Sequence, residues 1–151
     1  MANKPVILTD ELCCEAREAG SFLASIARAK AKENERIAII AGGETVVHLT
    51  GIGKGGRNQE LALGAASGLS STSKDIAIVS IGSDGTDGPT DAAGGYVDND
   101  TLQSLRDKNI DIHQVLQDND AYNALKAVDG LIITGATGTN VNDVAVVLID
   151  N

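Results

Sequence analysis

The chain has 151 residues and a mass of 15.5 kDa, the size of one domain with a sizeable core. It is 42% hydrophobic and 22% charged, and no apolar run approaches the roughly 18 residues needed to span a bilayer, so a membrane protein is excluded. A net charge of −9, with one Phe, two Tyr and no Trp, repels phosphate backbones and leaves little for bases to stack on, which argues against a nucleic-acid role.

Residues 1–60 balance eight acidic against eight basic side chains, so the whole negative excess lies in residues 61–151. The N-terminal run Met1-Ala2-Asn3-Lys4-Pro5 has no apolar segment of a secretion signal, and the cytoplasm is the expected compartment. Val6 to Leu8 is a short strand candidate. Thr9 or Asp10 can then cap a helix whose apolar positions Leu12, Ala16, Ala19, Leu23 and Ile26 follow the 3.6-residue period to about Lys32. Cys13 and Cys14 fall in that helix as free thiols, since adjacent helical side chains diverge too far for an ordinary disulfide. His48 and His113 stand alone in the sequence and read as structural or solvated residues.

Ile37 to Ala41 reads as a strand, and after Gly42-Gly43-Glu44 the segment Thr45 to Leu49 reads as its antiparallel hairpin partner. Gly51 to Gly56 is a glycine-rich loop, and Arg57 opens a second helix running to Leu69. Ile76 to Ile81 is a buried-strand candidate, followed from Gly82 to Gly95 by a loop dense in Gly, Asp and Thr. Helices are expected at Thr101 to Asp107 and Ala121 to Val128, and strands at Leu131 to Thr134 and Val144 to Ile149. The sum is one α/β domain over residues 1–151, a layered α/β/α arrangement with a mixed, mainly parallel sheet of five or six strands including a hairpin.

Three segments carry chemistry. In Gly51-Ile52-Gly53-Lys54-Gly55-Gly56-Arg57 the glycines match G-x-G-x-x-G, but a hairpin precedes them and no acid ends the next strand, so a dinucleotide site is not supported; Arg57-Asn58 also excludes a Walker loop. What remains is a helix start with main-chain N–H groups, Lys54 and Arg57, suited to phosphate or carboxylate, or else a tight turn with two solvated bases. In Gly82 to Gly94, Asp84, Asp87 and Asp91 crowd into eight residues; a cation such as magnesium would offset their repulsion, or they cap turns around the glycines. Thr134 to Asp143 is rich in hydroxyls and amides, which either bind a ligand or make successive Asx and ST turns.

In this order the three segments resemble the signature of the MOFRL domain, the C-terminal domain of class II glycerate 2-kinases. Gly55-Gly56-Arg57-Asn58-Gln59-Glu60 resembles its GGRNQE helix start, Asp84 to Gly94 its DGxDGPTDAAG loop, and Gly138-Thr139-Asn140-Val141-Asn142-Asp143 its GTNVND ending. Ser83 and Ala136 depart from the expected Thr and Pro. The resemblance covers nearly the whole chain and implies ATP-dependent phosphorylation of D-glycerate at its 2-hydroxyl with magnesium, although some members are named hydroxypyruvate reductases.

Carried over residue by residue, the resemblance implies Arg57, Asp84 and Asp87 as catalytic groups and Asp84 and Asp91 as metal ligands. It implies Lys54, Gly55, Gly56, Asn58, Glu60, Thr90, Thr139 and Asn140 as substrate or phosphate contacts. Family enzymes are longer, with an N-terminal domain facing this one across the active site. The expectation is therefore an excised or split domain that is either inactive alone or completes its site with the missing domain as a separate chain, with a homo-oligomer as a further option. The other readings are a non-catalytic anion-binding module and a reductase.

Overall fold

The computed structural model describes residues 4–33 and 35–150. Residues 1–3, part of the segment read for a secretion signal, lie outside the described residues. In chain order the elements are β1 (Lys4–Leu12), α1 (Ala16–Lys30), β2 (Ile37–Gly43), α2 (Arg57–Leu69), β3 (Ile76–Gly82) and β4 (Gly94–Asp98). Then follow α3 (Thr101–Asp107), α4 (Ile112–Gln117), α5 (Ala121–Ala127), β5 (Leu131–Ile132) and β6 (Asp143–Ile149).

The six strands form one sheet in the order β1-β2-β6-β3-β4-β5. Among the described residues only the strands β1 and β2 pair in parallel; every other neighbouring pair of strands is antiparallel, so the sheet is mixed but not mainly parallel as expected. The cause is the path of β6. The crossovers through α1 and α2 set β1, β2 and β3 in one direction, as helix–strand alternation implies. The last strand then slots between β2 and β3 and runs against both.

The expected hairpin is also displaced. After β2 the chain leaves the sheet, and of residues 45–49 only Val46 makes a β-bridge, to Glu15. The consecutive antiparallel pair is β3 and β4. Strand β1 continues to Leu12, so α1 starts at Ala16 rather than near Thr9, and Cys13 and Cys14 lie in the exposed connection as free thiols.

Strict alternation along β2, β3 and β6 puts Ile37, Ile39, Ala41, Ile76, Ile78, Ala145, Val147 and Ile149 on one face. There they share a core with Ala19 and Leu23 of α1, Leu61, Ala65 and Leu69 of α2, and Leu102, Leu105, Ile112 and Leu125 from the later helices. The opposite face presents Ile40, Val79, Ile81, Val144, Val146 and Leu148, and none of these belongs to the helix-packed core. Among the described residues the domain therefore has two layers, helices on one side of a sheet, and not the expected three. Helix α1 lies close on α2 because Gly20 has no side chain; a Cβ there would collide with the Leu61 carbonyl. Among the described residues no helix is long and apolar enough to cross a membrane.

Register fixes where chemistry can happen. Gly43 pairs with Asp143, and Asp143 with Gly82, so the end of β2, the start of β6 and the end of β3 meet at one sheet edge. The loops 44–56, 83–93 and 133–142 all spring from that edge, the side on which open α/β sheets place ligands.

Candidate functional site

Arg57 is the first residue of α2, and its guanidinium reaches back to the sheet edge. Nε and Nη2 donate to the two carboxylate oxygens of Asp143 at 2.5 and 3.0 Å, a bidentate fork, while Nη1 lies 3.1 Å from Oε1 of Glu44. The Asp143 hydrogen bonds raise the Arg57 pKa further, against the opposing effect of partial burial. Asp143 is nearly buried, whereas Glu44 is well exposed.

Two main-chain N–H groups of the helix start, expected to be open to an anion, are taken by Asp87, which is 3% exposed. Its Oδ1 accepts from the Asn58 main-chain N–H (3.0 Å) and from Asn58 Nδ2 (3.2 Å), and its Oδ2 accepts from the Gln59 N–H (2.9 Å). A helix N-terminus attracts negative charge, and here the chain supplies its own. Gly56 is required because a Cβ would run into that carboxylate. Burial pushes the Asp87 carboxyl pKa up, and the hydrogen bonds from Asn58 and Gln59 pull it back. Asp87 thus holds α2 in place, and its oxygens are spent within the fold.

The glycine-rich loop is likewise spoken for. The N–H of Ile52 donates to Asp118 Oδ1, that of Gly53 to the Asp118 carbonyl, and that of Lys54 to Asp120 Oδ1. Asn119 Oδ1 takes the N–H groups of Thr50 and Gly51. Asn119 Nδ2 in turn donates to Glu60 Oε2 at 3.1 Å. Glu60 is 2% exposed, and its Oε1 accepts from Arg17 Nε at 2.8 Å. Expected as a ligand contact, Glu60 is a buried ion-pair partner that ties this loop to α1.

Asn58, also expected to touch substrate, is buried and accepts at Oδ1 from Ser80 Oγ at 2.6 Å. Thr90 donates to the Asp87 carbonyl and accepts from Gln59 Nε2, bracing the same cap.

The remaining expected groups divide between two flanks. On the Arg57 side, Asp84 Oδ1 accepts from the N–H and hydroxyl of Thr86, which holds its carboxyl below the usual range, with help from the charge of Arg57. Thr139 and Asn140 are exposed on the neighbouring loop, whose Thr137 and Val141 bond to Ser83, and Asn140 Oδ1 closes an Asx turn on Asn142.

On the other flank, exposed Lys54 sits with Nζ 4.0 Å from the Tyr122 ring centroid, and the Tyr122 hydroxyl donates to Asp91 at 2.8 Å. That bond, with Lys54 and Lys126, lowers the Asp91 pKa. Asp84 and Asp91, expected to share a metal, thus keep different company. Among the described residues no three His, Cys, Asp or Glu side chains gather into a metal-binding set.

Residues 37–143 match the MOFRL family. This chain belongs to that family. The MOFRL fold here is 54% identical over 148 residues to a D-glycerate 2-kinase of Thermotoga maritima, covering 95% of this chain and 35% of that protein. A glycerate 2-kinase of Pyrococcus horikoshii is 45% identical, with 97% of this chain and 34% of that protein covered. The solved structure of the Thermotoga maritima glycerate kinase superposes with a TM-score of 0.94 at 52% identity, over 99% of this chain and 37% of that one. The chain spans about a third of the length of the relatives it matches.

In this MOFRL domain two groups escaped sequence reasoning. Asp143 closes the last motif and Glu44 follows the Gly42-Gly43 turn, yet nothing local pairs either with Arg57; Asp143 is 86 positions away.

Proposed function

We propose that the chain supplies one wall of a glycerate 2-kinase site, in which ATP passes its γ-phosphoryl group to the 2-hydroxyl of D-glycerate in the cytoplasm. The observation that carries this reading is Arg57, locked by Asp143 at the edge where three sheet-end loops converge, in a chain more than half identical to a D-glycerate 2-kinase. Phosphoryl transfer spreads negative charge over three oxygens, and a guanidinium held rigidly beforehand meets that charge without reorganising.

Asp84 is a half-buried carboxylate on the Arg57 flank. Magnesium bound with ATP keeps several waters and needs only one or two carboxylates, so Asp84 fits it without a full protein cage. When bound there, the ion would neutralise phosphate oxygens. Lys54, beside Tyr122, offers an exposed cation for the substrate carboxylate or the ATP phosphates, and Thr139, Asn140 and the Gly55-Gly56 backbone line the approach. Asp143 is a positioning residue, and Asp87, Asn58, Glu60 and Thr90 hold the frame. The group that orients the attacking hydroxyl comes from the remaining two-thirds of a family-length polypeptide.

The test is ATP-dependent phosphorylation of D-glycerate by this chain alone and combined with the complementary portion of the Thermotoga maritima relative. Activity should require both parts, and Arg57→Ala should lower kcat by about 10³-fold, the scale of an arginine acting on a transferring phosphoryl group. Substantial turnover by the chain alone, or an unaffected Arg57→Ala enzyme, contradicts the reading.

A further inference from the structure

We propose that Glu44 is a specificity-determining residue, a counter-ion on Arg57 that a doubly charged oxyanion displaces and a singly charged carboxylate does not. This rests on the reading of Arg57 as the anion-binding group and goes further by assigning it to the phosphoryl group rather than to the glycerate carboxylate.

The guanidinium has two sides. Nε and Nη2 are committed to Asp143, whose side chain is only 10% exposed and whose place at the start of β6 is fixed by pairing on both sides. The remaining nitrogen, Nη1, pairs with Glu44, whose side chain is 58% exposed. The Glu44 backbone is fastened by its N–H to the Leu12 carbonyl at 2.8 Å, so the carboxylate can swing away while the strand end stays put.

Charge decides what can replace it. Arg57 with Asp143 and Glu44 carries a net −1, and Asp84 lies close enough to lower its own pKa through Arg57. An incoming monocarboxylate would exchange one carboxylate for an identical one while giving up its translational freedom. Glu44 is already held beside Nη1 by its own main chain, so at equal charge the exchange gains nothing. A phosphoryl dianion brings three acceptor oxygens and a stronger pull on the guanidinium, which displaces the exposed Glu44 carboxylate against the repulsion of Asp143 and Asp84. The pairing Glu44 loses is an exposed one, which is weak.

The experiment follows the Arg57 Nε–Hε resonance of the purified chain by NMR while adding inorganic phosphate or acetate at constant ionic strength. Glu44→Gln is compared with wild type and with Glu11→Gln, which removes the same charge from an exposed residue of β1 outside the Arg57 ion pairs with Glu44 and Asp143. Wild type should respond to phosphate and not to acetate. Glu44→Gln should bind phosphate about two- to fivefold tighter and begin to respond to acetate, while Glu11→Gln behaves as wild type. Equal phosphate affinity in wild type and Glu44→Gln, or equal gains in both variants, overturns the assignment of Glu44 alone. No response at Arg57 in any of the three proteins overturns the anion-site reading as well.

Discussion

Without its carboxylate, position 87 would leave the main-chain N–H groups of Asn58 and Gln59 unpaired in a buried setting. Asp87→Ala should therefore cost about 1–3 kcal/mol of stability, the penalty for lost caps and orphaned donors, measurable by urea unfolding. A loss near zero would show that α2 does not depend on that cap. Tyr96 gives a second prediction at this scale. Burial and its hydrogen bond to Asp98 push the phenol pKa from 10.0 to about 12. The protonated phenol is the form the fold prefers, so its contribution is complete below pH 10 and drains away as pH rises from 10 to about 12. Ultraviolet titration should show its phenolate band delayed to that window, and Tyr96→Phe should remove that late component together with part of the alkaline destabilisation. The residue types of this site were legible in the sequence, but their partners were not. Three aspartates within eight residues look alike on paper, and only folding sends Asp87 under the helix, Asp84 toward Arg57 and Asp91 to Tyr122.

The Glu60–Arg17 pair shows how one element depends on another. Glu60→Ala would strip Arg17 of its 2.8 Å partner and Asn119 of an acceptor, and so loosen the loop that Asn119 holds. A loss of about 1–3 kcal/mol is expected, because Arg17 keeps Glu15 at 3.3 Å while the buried Asn119 amide loses its Glu60 acceptor. Hydrogen exchange at Thr50 and Gly51 should accelerate beyond what global destabilisation explains; unchanged protection there would disconnect the pair from the loop. Elements with strong periodicity were readable. β2, α2, β3, α3, α5 and β6 fall where their apolar patterns put them. β4 was hidden because it opens on Gly94-Gly95, which reads as loop, although a Cβ at Gly94 would strike the Ser80 backbone opposite. α4 spans only six residues, too few for a period to show. Strand direction was illegible for a different reason, since it depends on β6 finding its slot between strands far back in the sequence.

At the scale of the whole molecule, the aliphatic face of Ile40, Val79, Ile81, Val144, Val146 and Leu148 bears no helix. The isolated chain should bind a hydrophobic dye there, and Val79→Lys with Val146→Lys should cut the fluorescence severalfold without unfolding the helical layer, as judged by circular dichroism. Dye binding indifferent to both changes would place the sticky surface elsewhere. β6, in the middle of the sheet, has a consequence for biosynthesis. As the chain leaves the ribosome, β2 and β3 emerge long before residues 143–149, so the nascent domain carries a vacant slot with two bare hydrogen-bonding edges until its final strand arrives. A chain that stopped before those residues would yield a protein open at its centre and prone to zip onto its neighbours.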